Sequence, residues 1–200
     1  MKKTLLFVNG LSGSGKDYFI ENYLPKNLFH NLIVAANRQP RDGEIDGVHK
    51  YFRSDEYFDK KDNFATWSWV NEFIWEPGKQ KWFYGIPEFE VFNNIGKNLV
   101  YNVIEPRYSR QLIDWFIKQK LDKEYQFKIA YLLPPNNNFE IAQKRANMPD
   151  DDTVRRHNTC NPIDFLRAGL HPDWLIKSSK VETIIPEKFK VFVKKLEISK

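Results

Sequence analysis

Near its start the chain carries a glycine-rich turn, Gly10 to Lys16, between a short apolar run and a segment of helical character. The apolar run is Leu5 to Val8, and the helical segment extends to Tyr23. The turn fits G-x-x-x-x-G-K, in which backbone N–H groups turn toward phosphate oxygens at the positive end of the following helix. Strand, loop and helix in this order predict an α/β fold with a phosphate-binding loop. The alternative, a glycine-rich turn that binds nothing, does not account for the flanking elements.

The loop supplies most of the residues that we expect to bind ATP. Lys16 is expected to reach the β- and γ-phosphates and to act in catalysis. Asp17 stands where the motif has a serine or threonine whose hydroxyl ligates Mg²⁺. A carboxylate is also a hard oxygen ligand, but it brings negative charge close to the phosphates, so the sequence leaves open whether the metal site is kept, moved or weakened. The predicted ATP-binding residues are Gly10, Ser12, Gly13, Ser14, Gly15, Lys16 and Asp17.

Composition narrows the class of protein. The 200 residues fit one domain, and 31 basic against 26 acidic side chains give a net charge of +5, which suits small anionic ligands as well as nucleic acid. A lone cysteine, Cys160, excludes an intramolecular disulfide framework. The apolar run after Lys2 and Lys3 is too short for a signal peptide, and no segment has the length of a membrane span. We expect a soluble cytoplasmic protein without membrane or nucleic-acid partners, of open oligomeric state.

Apolar runs alternate with amphipathic segments along the chain. This alternation predicts a parallel, doubly wound sheet, whose ligands lie at the carboxyl ends of the strands. The predicted strands after the first are residues 31–36, 97–104, 127–133 and 173–179, and the predicted helices are residues 16–23, 88–94, 110–120, 140–145 and 186–196.

The segment from Arg38 to Gly47, RQPRDGEIDG, carries two arginines around a proline, well placed to clamp a phosphate, although such a segment can also be a solvated loop. It resembles the R-x-P-R-x-G-E-x-x-G signature of guanylate kinases. Ser12 to Lys16 resembles the P-loop of the same family. Further resemblances follow in matching order: Tyr51–Phe58, Phe64–Trp67, Trp82–Pro87, Phe127–Pro135 and Asp173–Ser178.

That resemblance implies transfer of phosphate from ATP, with Mg²⁺, to a nucleoside monophosphate. Arg38, Arg41 and Tyr84 would hold the acceptor phosphate, while Lys50 falls on the family's phosphate-binding tyrosine because Tyr51 is displaced by one place. The departures concern the base. The family's guanine-reading glutamate falls on Thr66, the neighbouring Ser or Thr on Ile86, and its D-x-D element near Tyr101, Asn102 and Val103. The expected acceptor-binding residues are Arg38, Arg41, Lys50, Tyr51, Thr66, Tyr84 and Asn102.

The resemblance also implies a domain plan. We expect one guanylate kinase-like domain, residues 1–200, with a P-loop kinase core (1–36 and 95–200), an acceptor-binding insertion (37–94) and a lid (about 145–157). By position, Arg145, Arg155 and Arg156 would contact the transferred phosphoryl group, although this segment can also be read as an exposed helix start capped by Asp150 to Asp152. Residues between Trp69 and Trp82 favour a hairpin around Pro77-Gly78 over a surface that stacks on the acceptor.

Two alternatives remain at this point. Ribose 1,5-bisphosphate phosphokinases share the fold, and their G-S-G-K-D loop and V-N-G-S-R element resemble this chain at Asp17 and at 101–103, but they lack the RQPRDGE segment that this chain keeps. Non-catalytic guanylate kinase-like modules hold phosphopeptides, but usually have a degraded P-loop, whereas Gly10, Gly13, Gly15 and Lys16 are all present. The sequence therefore favours an ATP-dependent kinase of a small phosphorylated acceptor, foremost a nucleoside or deoxynucleoside monophosphate with altered base recognition.

Overall fold

The structure is a computed structural model that describes residues 2–11, 13–71, 81–103, 105–133, 162–178 and 183–198. Its contacts divide the chain into two compact units. One unit comprises Met1–Asn31 and Gly96–Lys200, and the other Leu32–Ile95. The sequence placed the insertion at 37–94, so the second unit begins a few residues earlier than that expectation.

The bounds of the described elements are as follows. The strands are β1 Lys3–Gly10, β2 Phe29–Asn31, β3 Ala35–Ala36, β4 Tyr51–Phe52, β5 Phe64–Asn71, β6 Lys81–Pro87, β7 Asn98–Val103, β8 Tyr125–Leu133, β9 Trp174–Ser178 and β10 Thr183–Ile184. The α-helices are α1 Lys16–Tyr23, α2 Glu88–Phe92, α3 Pro106–Lys118, α4 Pro162–Arg167 and α5 Glu187–Ile198, and short 3-10 helices occupy Asp55–Asp59, Lys61–Asn63 and Leu121–Lys123.

The first unit is built on a six-stranded sheet of order β10-β9-β8-β1-β7-β2. All pairs are parallel except β9 with β10. On the face that carries Leu6 of β1, Phe19 of α1 and Phe189 of α5 pack with ring centroids 5.5 Å apart. On the face that carries Phe127 of β8, Phe116 of α3 packs at 5.9 Å. Leu6 and Phe127 point to opposite faces of the sheet, because successive strand residues alternate between the faces and Phe127 is aligned with Leu5. Helices therefore cover both faces, and the predicted doubly wound α/β fold is confirmed.

The predicted strand over residues 31–36 is wrong as a single element. The chain forms β2 beside β7 in the first sheet and then β3 between β4 and β6 in the second. Between them the backbone N–H of Ile33 donates to the Glu90 carboxylate at 3.2 Å instead of to a neighbouring strand. This bond explains why one apolar run is divided between two sheets.

Other expectations differ in extent. Helix α3 begins at Pro106, ahead of the predicted residue 110, because proline suits the first helical position. Helix α4 and strand β10 were not predicted. The predicted helix 140–145, the hairpin around Pro77-Gly78 and the lid lie outside the described residues.

The second unit carries a four-stranded sheet of order β4-β3-β6-β5. Its core is aromatic: the Phe58 ring stacks on Phe64 at 5.2 Å and on Phe83 at 5.6 Å, beside Ala35. Strands β5 and β6 are antiparallel, and the pairing runs to Asn71 and Lys81. Within the described part of the chain, no helix has the length and apolar character needed to cross a membrane.

Candidate functional site

Two glycines of the P-loop have a left-handed backbone conformation. Gly13 and Gly15 have φ of 76° and 89°, a region that residues with a Cβ rarely adopt. The Ser14 N–H donates to the Leu11 carbonyl at 3.1 Å, which closes the turn, and Gly15 precedes the first residue of α1. The loop therefore sits at the N-terminal end of a helix, at the carboxyl end of the central strand, where backbone N–H groups and the helix dipole favour a bound phosphate.

Lys16 lies folded over this loop. Its side chain is buried, and Nζ donates to the carbonyls of Gly10 at 2.8 Å and Leu11 at 2.7 Å. The buried hydroxyl of Ser14 has no hydrogen-bond partner among the described residues. The loop thus holds one cation and one polar hydroxyl at the place where the sequence predicted the donor phosphates.

Asp17 is exposed in the first turn of α1 and contacts β7. Its Oδ1 accepts a hydrogen bond of 2.5 Å from Nδ2 of Asn102. Asn102 lies near the carboxyl end of β7, aligned with Val8 of the strand that leads into the P-loop. Asn102 belongs to the first unit, where it contacts a predicted ATP-binding residue, and its expected role in acceptor binding stays a prediction.

The predicted phosphate clamp in the second unit has Arg38 at its centre. Arg38 is 5% exposed, and its guanidinium lies 5.5 Å from the centre of the Phe52 ring. Its two terminal nitrogens donate to the two carboxylate oxygens of Glu44, each at 2.6 Å, and Nη1 also donates to the Gln39 carbonyl at 2.8 Å. This is the bidentate geometry of a strong arginine–carboxylate pair.

Arg38 and Glu44 favour each other's charged forms. The hydrogen bond from Arg38 lowers the pKa of Glu44 from 4.5 to about 2, against the opposing effect of burial. Burial lowers the pKa of Arg38, but its contacts with Glu44 and Tyr84 outweigh this and leave that pKa raised. Arg41 is exposed, and its backbone N–H donates to Glu44 at 2.8 Å. One carboxylate therefore holds both ends of the Arg38–Arg41 turn.

Tyr84 and Thr66 share one face of the second sheet. Ala36 is aligned with both Tyr84 and Phe52, and Thr66 is aligned with Ile86, two residues after Tyr84. Alternation along the strands then puts Phe52, Thr66 and Tyr84 on the same face. Thr66 is 4% exposed, and its hydroxyl accepts the backbone N–H of Ile86 at 3.1 Å.

Tyr51 lies on the opposite face, because it is aligned with Ala35 and through it with Gly85. Its hydroxyl donates to Glu90 at 2.8 Å, and burial together with Glu90 raises the pKa of Tyr51 to about 12. The adjacent Lys50 is half-buried. The structure thus separates Tyr51 from the face that carries Tyr84.

Several contributors to the site were not predicted. Glu44 stands inside the signature that the sequence analysis quoted, so its spacing after Arg38 was an available signal. Phe52 supports Arg38 from a strand that the sequence did not predict. Four of the predicted site residues, Ser12, Arg145, Arg155 and Arg156, lie outside the described residues.

The donor set fits Mg²⁺ better than a softer metal. Among the described residues no group of three or more His, Cys, Asp or Glu side chains could hold a metal ion. Asp17 instead offers a single exposed carboxylate next to Lys16 in the phosphate-binding turn. Mg²⁺ is usually bound by one or two carboxylates together with substrate phosphates, so this arrangement suits a metal that arrives with a nucleotide.

Three known proteins show what the chain is similar to in sequence and in fold. The chain is 31% identical over 164 residues to the guanylate kinase of Carboxydothermus hydrogenoformans, covering 78% of this chain and 71% of that protein. It is 30% identical over 161 residues to that of Caldanaerobacter subterraneus, covering 76% and 69%. The solved guanylate kinase of Anaplasma phagocytophilum superposes with a TM-score of 0.53 at 18% identity, covering 99% of this chain and 86% of that one. No family model matches the chain.

Proposed function

Because the chain belongs to the guanylate kinase family, and is a nucleoside monophosphate kinase-like phosphotransferase, we propose that it phosphorylates a (deoxy)nucleoside monophosphate whose base is not read through a carboxylate. One observation carries the proposal: Arg38, predicted to clamp the acceptor phosphate, is held by Glu44 and interacts with Tyr84, while the resemblance aligns Thr66 with the family's guanine-reading glutamate. The proposal thus keeps the chemistry of the family and changes its acceptor.

On the donor side, Lys16 and the loop N–H groups hold the phosphates of ATP. Asp17 is the candidate ligand of Mg²⁺, which would neutralise charge on the phosphates when bound. Phosphoryl transfer depends mainly on positioned cations and needs little acid–base chemistry. The contribution of Arg145, Arg155 and Arg156 to the transferred group stays a prediction.

On the acceptor side, Arg38 has donors to spare for a phosphate. A guanidinium carries five N–H donors, and three of the hydrogen bonds described above go to Glu44 and Gln39. The remaining two can serve Tyr84 and an acceptor phosphate. Arg41, which is exposed at the end of the same turn, and Lys50 add positive charge for that anion.

Thr66 supports a changed base preference. Its oxygen already accepts the Ile86 N–H, so the hydroxyl has its O–H donor and one lone pair left for a ligand, and it lacks the paired acceptors of a carboxylate. Guanine presents an N1–H and an exocyclic amine, both of which need acceptors. A site whose polar groups leave such donors unpaired discriminates against that base.

Ribose 1,5-bisphosphate is the second candidate acceptor. The hydrogen bond between Asn102 and Asp17 joins two residues that this chain has in common with the sugar bisphosphate kinases. An acceptor without a base would also explain a site without a base-reading carboxylate. The RQPRDGE turn, held together by Arg38 and Glu44, favours the nucleotide.

A turnover panel tests the proposal. ATP consumption with Mg²⁺ is measured against all common ribo- and deoxyribonucleoside monophosphates and ribose 1,5-bisphosphate, with the Lys16→Ala variant as control for contaminating kinases. We expect turnover on one or more nucleotides that Lys16→Ala abolishes. Turnover on the sugar bisphosphate alone would select the second candidate. Absence of both turnover and binding of an ATP analogue would favour a non-catalytic binding module.

A further inference from the structure

We propose that Asp17 and Asn102 form a matched pair in which the carboxylate that holds Mg²⁺ lies on the P-loop helix, and that Asn102 on the neighbouring strand is the residue that positions it. This inference rests on the proposed function, because it requires a nucleotide–metal complex at the loop. It goes further by giving Asn102 a role on the donor side.

The geometry links the two residues directly. Asn102 stands one residue before the end of β7, and β7 pairs in parallel with β1, the strand that leads into the loop. The amide therefore reaches across to the first turn of α1, where Nδ2 donates to Oδ1 of Asp17 at 2.5 Å. The structure gives Asp17 no other hydrogen bond or ion pair among the described residues, so one carboxylate oxygen is held and the other is left for a metal.

Asn9, one residue after the β1 position that is aligned with Asn102, fixes the carboxyl end of β1 through Ser109. Nδ2 of Asn9 donates to the Ser109 hydroxyl at 3.1 Å, and that hydroxyl donates back to Oδ1 of Asn9 at 3.2 Å. Both residues are buried, so β1 is tied to α3, the helix that follows β7. The carboxyl ends of β1 and β7 are therefore held in a fixed position, and a residue that positions another side chain must itself stand on such a rigid element.

The chemistry explains why the two residues go together. In P-loop enzymes Mg²⁺ is usually held by a loop hydroxyl and a strand carboxylate. Here the loop has the carboxylate and the strand has the amide. A carboxylate at both positions would place two like charges in contact, which is unfavourable, whereas the amide of Asn102 donates to the carboxylate and holds it in place. Asp17 and Asn102 together thus place one negative charge, that of Asp17, next to the metal.

Glu105, three residues after Asn102, has a different partner. Glu105 forms an ion pair with Arg107, and burial raises its pKa. It therefore does not offer a free carboxylate of the kind that Asp17 offers.

A double-mutant cycle tests the pair. The dissociation constant of a non-hydrolysable ATP analogue is measured by calorimetry with excess Mg²⁺ and with EDTA, and the ratio of the two constants is compared for wild type, Asp17→Ser, Asn102→Leu and the double variant. We expect each single change to reduce the Mg²⁺ enhancement by about tenfold, the scale of one charge-assisted hydrogen bond or ligand. In the Asp17→Ser background, Asn102→Leu should have no further effect, since no carboxylate remains to position.

A transplant variant makes the test sharper. Asp17→Ser combined with Asn102→Asp rebuilds the usual hydroxyl and carboxylate, and it should recover the Mg²⁺ enhancement to within about threefold of wild type. Glu21→Gln, which removes an exposed carboxylate one turn further along α1, is the matched control and should leave the ratio unchanged. Affinity in EDTA and the thermal midpoint report whether each variant is folded.

The outcomes separate the inference from the proposed function. Additive effects of Asp17→Ser and Asn102→Leu, or no recovery in the transplant variant, would overturn the pairing while nucleotide binding persists. Absence of analogue binding to the wild type under either condition would overturn the proposed function itself. Non-additivity with recovery would establish Asn102 as a positioning residue.

Discussion

Replacing Glu44 by glutamine should destabilise the protein in a pH-dependent way. The pKa of Glu44 is lowered from 4.5 to about 2, chiefly by its hydrogen bonds from Arg38. A shift of this size corresponds to about 3.4 kcal/mol at ~1.36 kcal/mol per tenfold change in proton affinity. Because the carboxylate is partly open to solvent, screening reduces the expected loss in the free energy of unfolding to about 1.5–2 kcal/mol.

The sign of the pH dependence follows from the direction of the shift. A carboxylate whose folded pKa is depressed stabilises the protein fully above its unfolded pKa, and that stabilisation disappears as pH falls through the folded pKa. The difference between wild type and Glu44→Gln should therefore be constant above about pH 5 and should shrink steadily toward pH 2.

Urea unfolding at a series of pH values measures this difference. Asp42→Asn, which neutralises an exposed carboxylate in the same turn, is the matched control and should change the free energy of unfolding by less than about 0.5 kcal/mol. A difference between wild type and Glu44→Gln that is the same at pH 7 and pH 3, or that is absent at both, would refute the reasoning about the Arg38–Glu44 pair.

Three further variants probe the loop and the second unit. Lys16→Ala should abolish turnover, and wild-type turnover by this variant would remove the proposed role of the loop. Gly10→Ala should weaken ATP binding at least tenfold by calorimetry, because a Cβ there would lie 2.8 Å from the Leu132 carbonyl oxygen and the loop would have to shift. Unchanged affinity would show that the loop tolerates the methyl group. Tyr51→Phe should lower the free energy of unfolding by about 1–2 kcal/mol, because Glu90 loses a partly buried donor, and equal stability in urea would show that this bond contributes nothing.

The sequence predicted those parts of the fold and site that depend on local pattern. The P-loop follows from the spacing of its glycines and Lys16, and the central strands follow from their apolar runs. The turn with Arg38 and Arg41 was predicted from its two arginines, whereas their partner Glu44 was not, although it lies only six residues after Arg38. Motifs of this kind carry their own geometry, which is why the fold class could be assigned from them.

The remaining features depend on contacts between distant residues. The division of residues 31–36 between two sheets depends on Glu90, which lies 57 residues after Ile33. The contact between Asn102 and Asp17 spans 85 residues. Tyr51 shows a third limit: a displacement of one residue along a strand moves a side chain to the other face of the sheet, so a near-match in sequence becomes a different position in space.

A competition assay tests the central claim most directly. Equal concentrations of all common ribo- and deoxyribonucleoside monophosphates are incubated with enzyme, ATP and Mg²⁺, and the diphosphates formed are quantified by mass spectrometry, which reports the ratios of kcat/KM. The retained phosphate clamp and the hydroxyl at Thr66 predict that a nucleotide other than a guanine nucleotide is phosphorylated at the highest rate. Phosphorylation of GMP in strong preference to every other nucleotide would contradict the account.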